Sequence, residues 1–170
     1  MSGRTRRAVD GLRWARVADA PPFMAAPKKL RKQSQQAGLV YEAKVAEYLR
    51  LRYGEERIIH GPWLEYQDEW GHGWAQPDIL ILPDGAEKPL VICECKLTFT
   101  KRAAESKLRS TYLPLVREVY PGLDYRTVQA CKNLSRSAIG QRTVITNIGD
   151  VYHAPHKEGY LVWNWIPRAL

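Results

Sequence analysis

Residues 76–96 read QPDILILPDGAEKPLVICECK. The pair Pro-Asp occurs twice, at Pro77-Asp78 and Pro83-Asp84, and the stretch ends in Glu94-Cys95-Lys96. Ala75 to Leu82 and Pro89 to Leu97 are apolar, strand-like runs. Between them, Pro83 sets φ, Asp84 bonds its own backbone and Gly85 relaxes the exit, which is the chemistry of a tight turn. The two runs therefore predict an antiparallel hairpin. A register that sets Asp78 across from Glu94 puts both carboxylates on one face, about 5 Å apart. Gln76 then faces Lys96. Asp84 lies roughly five strand residues from Glu94, about 17 Å away, too far to share an ion with it. Asp78 is thus the candidate ligand and Asp84 the turn residue. A slip of one residue would undo this pairing.

Glu94 and Lys96 share a face of their strand, opposite Cys93 and Cys95. The preceding run Leu90-Val91-Ile92-Cys93 is apolar on both faces, as in a buried central strand. A carboxylate and an ammonium at the end of such a strand are costly without partners. A divalent metal ion and a phosphate would supply them. The alternative is a surface ion pair on an edge strand.

Around the hairpin, Gln35 to Arg52 reads as a helix with Leu39, Ala43, Ala46, Leu49 and Tyr53 as its apolar stripe and Gly54 as its stop. Glu42 lies beside that stripe. Arg57 to Tyr66 is strand-like and Asp68 to Gly73 a turn. Residues 102–120 form a second helix with Ala104, Leu108, Tyr112, Leu115, Val116 and Val119 buried and a kink expected at Pro114. Tyr125 to Lys132 is a further strand, followed by strands at Thr143–Thr146, Val151–His153 and Tyr160–Trp165. The first three strands form an antiparallel meander, and the second helix crosses over to make the fourth parallel to the third.

Asp78, Glu94-Cys95-Lys96 and the upstream Glu42, in this order of elements, resemble the PD-(D/E)XK nuclease superfamily, small phage-type or endonuclease-like members included. The match spans roughly residues 35–132. The resemblance implies an α/β, restriction-endonuclease-like αβββαβ core with a mixed sheet, extended here by C-terminal strands. It implies metal-dependent hydrolysis of DNA phosphodiester bonds, with an endonuclease expected. Asp78, Glu94 and the backbone carbonyl of Cys95 would bind Mg²⁺ or Mn²⁺. Lys96 would hold the attacking water and stabilise the charged transition state, and Glu42 would assist. The RecB-like exonuclease branch carries Gln-x-x-x-Tyr on the second helix, whereas Leu108 precedes Tyr112 here. Lys107, Arg109 and Gln129 are further candidates between which the sequence does not choose. The alternatives are an exonuclease or junction-resolving nuclease, and a non-cleaving DNA-binding or structural protein of a phage particle or packaging complex.

The chain of 170 residues carries a net charge of +8. Nearly all of it lies in residues 1–40, where nine Lys or Arg face Asp10 and Asp19. Residues 1–34 read as a flexible basic arm, with a helical turn suggested at Leu12–Val17, before a nuclease-like domain at 35–170. Arg4, Arg6, Arg7, Lys28, Lys29, Arg31 and Lys32 are its candidate phosphate contacts, and removing residues 1–34 is expected to leave the fold intact. The other reading of the charge is a solvated arm with no partner.

No apolar run has the length of a membrane span. Three cysteines, two of them two apart on a strand, fit a reducing, cytoplasmic setting; the resemblance implies a bacterial or phage-infected cell. The four histidines form no zinc-like set; His60 and His72 flank turns. Most of the six tryptophans are expected in packing, while Trp70 and Trp74, around Gly71-His72-Gly73, have two readings: stacking on unpaired bases, or aromatic packing that holds the turn.

Overall fold

The computed structural model of the chain describes residues 8–21, 33–85, 89–134, 139–156 and 159–168. It is an α/β structure with a six-stranded mixed sheet and a separate three-stranded antiparallel sheet. The elements in chain order are β1 (Trp14–Ala18), α1 (Gln33–Tyr53), β2 (Ile58–His60), β3 (Trp63–Asp68), β4 (Gly71–Ala75), β5 (Ile79–Ile81) and β6 (Leu90–Thr98). After them come α2 (Arg102–Glu105), a π-helical stretch (Ser106–Tyr112), α3 (Leu113–Val119), β7 (Tyr125–Asn133), β8 (Val144–Ile145) and β9 (Leu161–Asn164).

The hairpin of β5 and β6 forms in the expected register. Ile79 faces Cys93, Leu80 faces Ile92 and Ile81 faces Val91. Asp84 and Gly85 are exposed at the tip, Gly85 with a φ of 79°. β6 is the centre of the large sheet, whose order is β2-β5-β6-β7-β9-β8. β6 and β7 run parallel over their whole length, joined by the second helical segment as a crossover.

The sheet is covered on both faces, so its central strands are apolar on both. On one face, Val91, Cys93 and Cys95 pack with Tyr41, Val45, Ala46 and Leu49 of α1. On the other, Leu80, Leu90 and Ile92 pack with Ala104, Leu108, Tyr112, Leu115 and Val116, and with Leu64 and Ala75 of the small sheet. Burying these side chains stabilises each layer by roughly 1.5–3 kcal/mol per large residue.

Several expectations are corrected. Leu39 and Ala43 of α1 are exposed, and the buried stripe is rotated to Tyr41, Val45, Ala46 and Leu49. That rotation places Glu42 at the edge of the buried face. The strand expected from Arg57 to Tyr66 is two strands in two sheets. Gly61, at a φ of 64°, and Pro62, which has no N–H, break it. In the same way Gln76-Pro77-Asp78 separates β4 from β5, so β2 pairs with β5 and β3 forms a hairpin with β4. Trp14–Ala18 is a strand paired with β3, within the span read as an arm and in place of the suggested helical turn. The strand expected at Val151–His153 is a 3₁₀ turn, Ile148–Tyr152, started by Asn147, whose side chain accepts the Gly149 N–H at 2.9 Å.

Pro114 acts differently from a kink. Its missing N–H leaves the Ser110 carbonyl without a helical donor, and the Val9 N–H fills that place at 3.0 Å. The helix widens to π geometry immediately before the proline.

Candidate active site

The candidate site lies where β5 begins and β6 ends. Glu94 follows Ile92 on the face that packs against the second helical segment, and its side chain is 1 % exposed. A surface ion pair on an edge strand is therefore excluded. Glu94 Oε1 lies 3.4 Å from Lys96 Nζ and 3.2 Å from Lys107 Nζ. Its other oxygen, Oε2, is buried without a hydrogen-bond partner. A buried orphan carboxylate oxygen costs roughly 1–3 kcal/mol or more, so this one marks a place built for something besides the fold.

Asp78 completes the pair. Its Oδ2 accepts the Cys95 N–H at 2.7 Å, across the hairpin just beyond the last ladder pair. The N–H and C=O of one strand residue leave on the same side, so the Cys95 carbonyl faces the same edge. The Asp78 backbone carbonyl accepts the Gly61 N–H at 2.8 Å, and Tyr112 Oη donates to the Gln76 carbonyl at 3.2 Å. These bonds hold the segment before β5 against both the β2–β3 break and the second helical segment.

Glu42 of α1 lies beside Asp78, and its carboxyl opposes ionisation of the Asp78 carboxyl. Burial first, then Glu42, pushes the Asp78 carboxyl up to about 7. Burial, then the charge of Asp78, pushes Glu94 up as well, against the pull of Lys107 and Lys96. His60 Nε2 lies 3.0 Å from Glu42 Oε2. Burial and Arg50 lower the His60 pKa, so the contact is a hydrogen bond from a neutral ring rather than an ion pair. The carboxylate fixes the tautomer with the proton on Nε2.

The structure thus brings Asp78, Glu94, Lys96, Glu42 and Cys95 together. It adds Lys107 and His60. Lys107 is chosen from the three open candidates by its 3.2 Å contact with Glu94. Gln129, across from Glu94 on β7, is fully buried and spends its amide on the Thr100 backbone. Arg109 packs against Gly159. Leu108 is fully buried in the core, so no amide stands four residues before Tyr112. The arm residues Arg4, Arg6, Arg7, Lys28, Lys29, Arg31 and Lys32 lie outside the described residues.

Among the described residues, no three His, Cys, Asp or Glu side chains converge as a ready metal cage. Glu42 meets Asp78 but not a point common to Asp78 and Glu94. Two carboxylates and a carbonyl nevertheless match the way Mg²⁺ is held, through one or two carboxylates with waters and substrate phosphate filling the remaining positions. A cation would give the orphan Glu94 oxygen the partner it lacks.

No protein-family model matches the chain, and no curated protein matches it. Among the described residues, no helix is long and apolar enough to cross a membrane.

Proposed function

We propose that the protein is a metal-dependent nuclease that hydrolyses DNA phosphodiester bonds, most simply as an endonuclease, on a PD-(D/E)XK-type core. The observation that carries this reading is Glu94. It is a fully buried carboxylate with one oxygen unpartnered and the other faced by two lysines, next to the raised carboxyl of Asp78. The helix–hairpin–crossover order around β6, with β6 and β7 parallel, supports the same core.

Asp78, Glu94 and the Cys95 carbonyl would hold Mg²⁺ or Mn²⁺, which supplies a lowered water pKa and neutralises phosphate charge when bound. The chain's own groups do the rest. Lys96, part-exposed beside Glu94, holds the attacking water or a phosphate oxygen and stabilises charge that develops in the transition state. Lys107 brings a second ammonium from the π-helical stretch to the same carboxylate. Glu42, held by His60 at 3.0 Å, stands beside Asp78 and orients it.

Two readouts test this. Mn²⁺ should raise the melting temperature of the wild-type chain in the absence of DNA, and EDTA should reverse the rise; Glu94→Gln should remove it. Of supercoiled, linear, single-stranded and branched DNA, at least one should be cut in Mg²⁺ or Mn²⁺ and none in EDTA. Binding of DNA with no cutting of any of these substrates would instead favour the non-cleaving reading.

A further inference from the structure

The small sheet β1-β3-β4 has two unlike faces. One carries Leu64, Tyr66 and Ala75 into the core. Strand alternation and register place the other face in three rows: Trp14, Gln67 and His72; then Arg16, Glu65 and Trp74; then Ala18 and Trp63. The rings on this face form a continuous series. Trp63 and Trp74 have centroids 6.5 Å apart at 84°, Trp74 and His72 5.5 Å at 86°, and His72 and Trp14 6.2 Å at 53°. Trp14 is 39 % exposed, and the His72 side chain 47 %. Trp14 and His72 are thus the exposed rings of the series, and Trp63 and Trp74 are half-buried.

The charge on this face suits a phosphate chain. Glu65 is its one carboxylate; the Arg16 guanidinium pairs with it at 2.5 Å, and His72 Nε2 lies within hydrogen-bond distance of it at 2.7 Å. The Arg16 guanidinium lies 5.6 Å over the Trp14 ring, and its side chain is 69 % exposed.

The series also points at the candidate site. Trp74 stands four residues before Asp78, at most about 14 Å along the chain. Trp63 stands two residues after Gly61, about 7 Å at most, and the Gly61 N–H donates to the Asp78 carbonyl. The Trp63–Trp74 end of the aromatic row is therefore the one tied by short stretches of chain to Asp78.

We infer that this face is a stacking platform for unpaired nucleotides, which leads a single-stranded segment into the Asp78–Glu94 site along Trp14, His72, Trp74 and Trp63. A base in a duplex has its π-face covered by its neighbours, while an unpaired base offers it to a ring. The substrate class is then DNA with a single-stranded stretch: a gap, a flap, a free strand or the unpaired bubble of a negatively supercoiled plasmid. The direction of entry rests on the nuclease reading; the platform itself does not.

The test uses the full-length protein in EDTA, where cutting is excluded, with fluorescein-labelled oligo-dT and a duplex of equal length, followed by anisotropy. Wild type should bind oligo-dT more tightly than the duplex. Trp14→Ala should weaken oligo-dT binding roughly 5- to 100-fold, the loss of one base–aromatic stack, while Trp14→Phe retains most of it. Far-UV circular dichroism keeps a folding defect distinct. Equal binding of oligo-dT and duplex, or no change in Trp14→Ala, would overturn the platform. A folded Trp14→Ala that binds weakly, with wild type cutting nothing in Mg²⁺, would uphold the platform and refute the nuclease reading. Unchanged oligo-dT binding in a protein that cuts would do the reverse.

Discussion

Asp78→Asn should make the protein more stable and inactive at once. The Asp78 carboxyl is pushed from 3.8 to about 7 by burial and by Glu42. Its folded-state pKa is raised, so the protonated form is the one the fold favours. The stability this gives is complete below the unfolded value and is lost as pH rises through about 7. Ionising the group in the folded chain costs at most roughly 4 kcal/mol. Asparagine keeps an oxygen for the Cys95 N–H and cannot ionise. The variant should therefore match wild type near pH 4 and exceed it increasingly up to pH 8. At about 2–4 °C per kcal/mol for a chain of this size, the ceiling is about 8–16 °C in melting temperature. The assay is thermal unfolding of both proteins at half-unit pH steps, in EDTA and again in Mn²⁺. Mn²⁺ should narrow the gap by stabilising wild type alone. A difference in melting temperature that stays flat from pH 4 to 8 would refute the reasoning, because it would place Asp78 in an ordinary solvated setting.

Other outcomes follow from the same structure. Lys107→Met should lower the rate of DNA cleavage by roughly 10²–10³ while leaving affinity in EDTA nearly unchanged, read from single-turnover kinetics and anisotropy. Deleting residues 1–7 removes Arg4, Arg6 and Arg7 and should flatten the salt dependence of DNA binding by about three in the log–log slope without changing the melting temperature. Deleting residues 1–34 should in contrast lower the melting temperature, because β1 and the Val9–Ser110 bond go with it. Gly73→Ala drives a Cβ into the Tyr66 ring and should cost roughly 1–3 kcal/mol, measured by chemical denaturation.

The hairpin could be read from the chain because two local signals agree: apolar runs of strand length and a Pro-Asp-Gly turn between them. The register followed, since any slip would turn Asp78 or Glu94 away from its partner. The crossover to β7 was equally local, set by the length of the segment between two apolar strands. What could not be read depends on docking. Tyr41 and Val45, not Leu39 and Ala43, face the sheet because α1 is rotated by its contacts with β6, and no periodicity within the helix decides that. His60 and Lys107 join the site from different layers, so no spacing in the sequence links them to Glu42 and Glu94. β1 is a strand because β3 offers it an edge; alone, Trp14-Ala-Arg-Val-Ala has little to distinguish it from an arm. The break at Gly61-Pro62 was written in the sequence, and it decides which strand neighbours β5.

The central claim is that Asp78, brought by the hairpin to Glu94 and Lys96, belongs to the chemistry, and that the second Pro-Asp only folds the chain. Nicking of supercoiled plasmid in Mg²⁺ by Asp78→Ala and Asp84→Ala, compared side by side with wild type, tests it most directly. The expected result is that Asp78→Ala loses nicking and Asp84→Ala keeps it. Normal nicking by Asp78→Ala, with loss in Asp84→Ala, would contradict it.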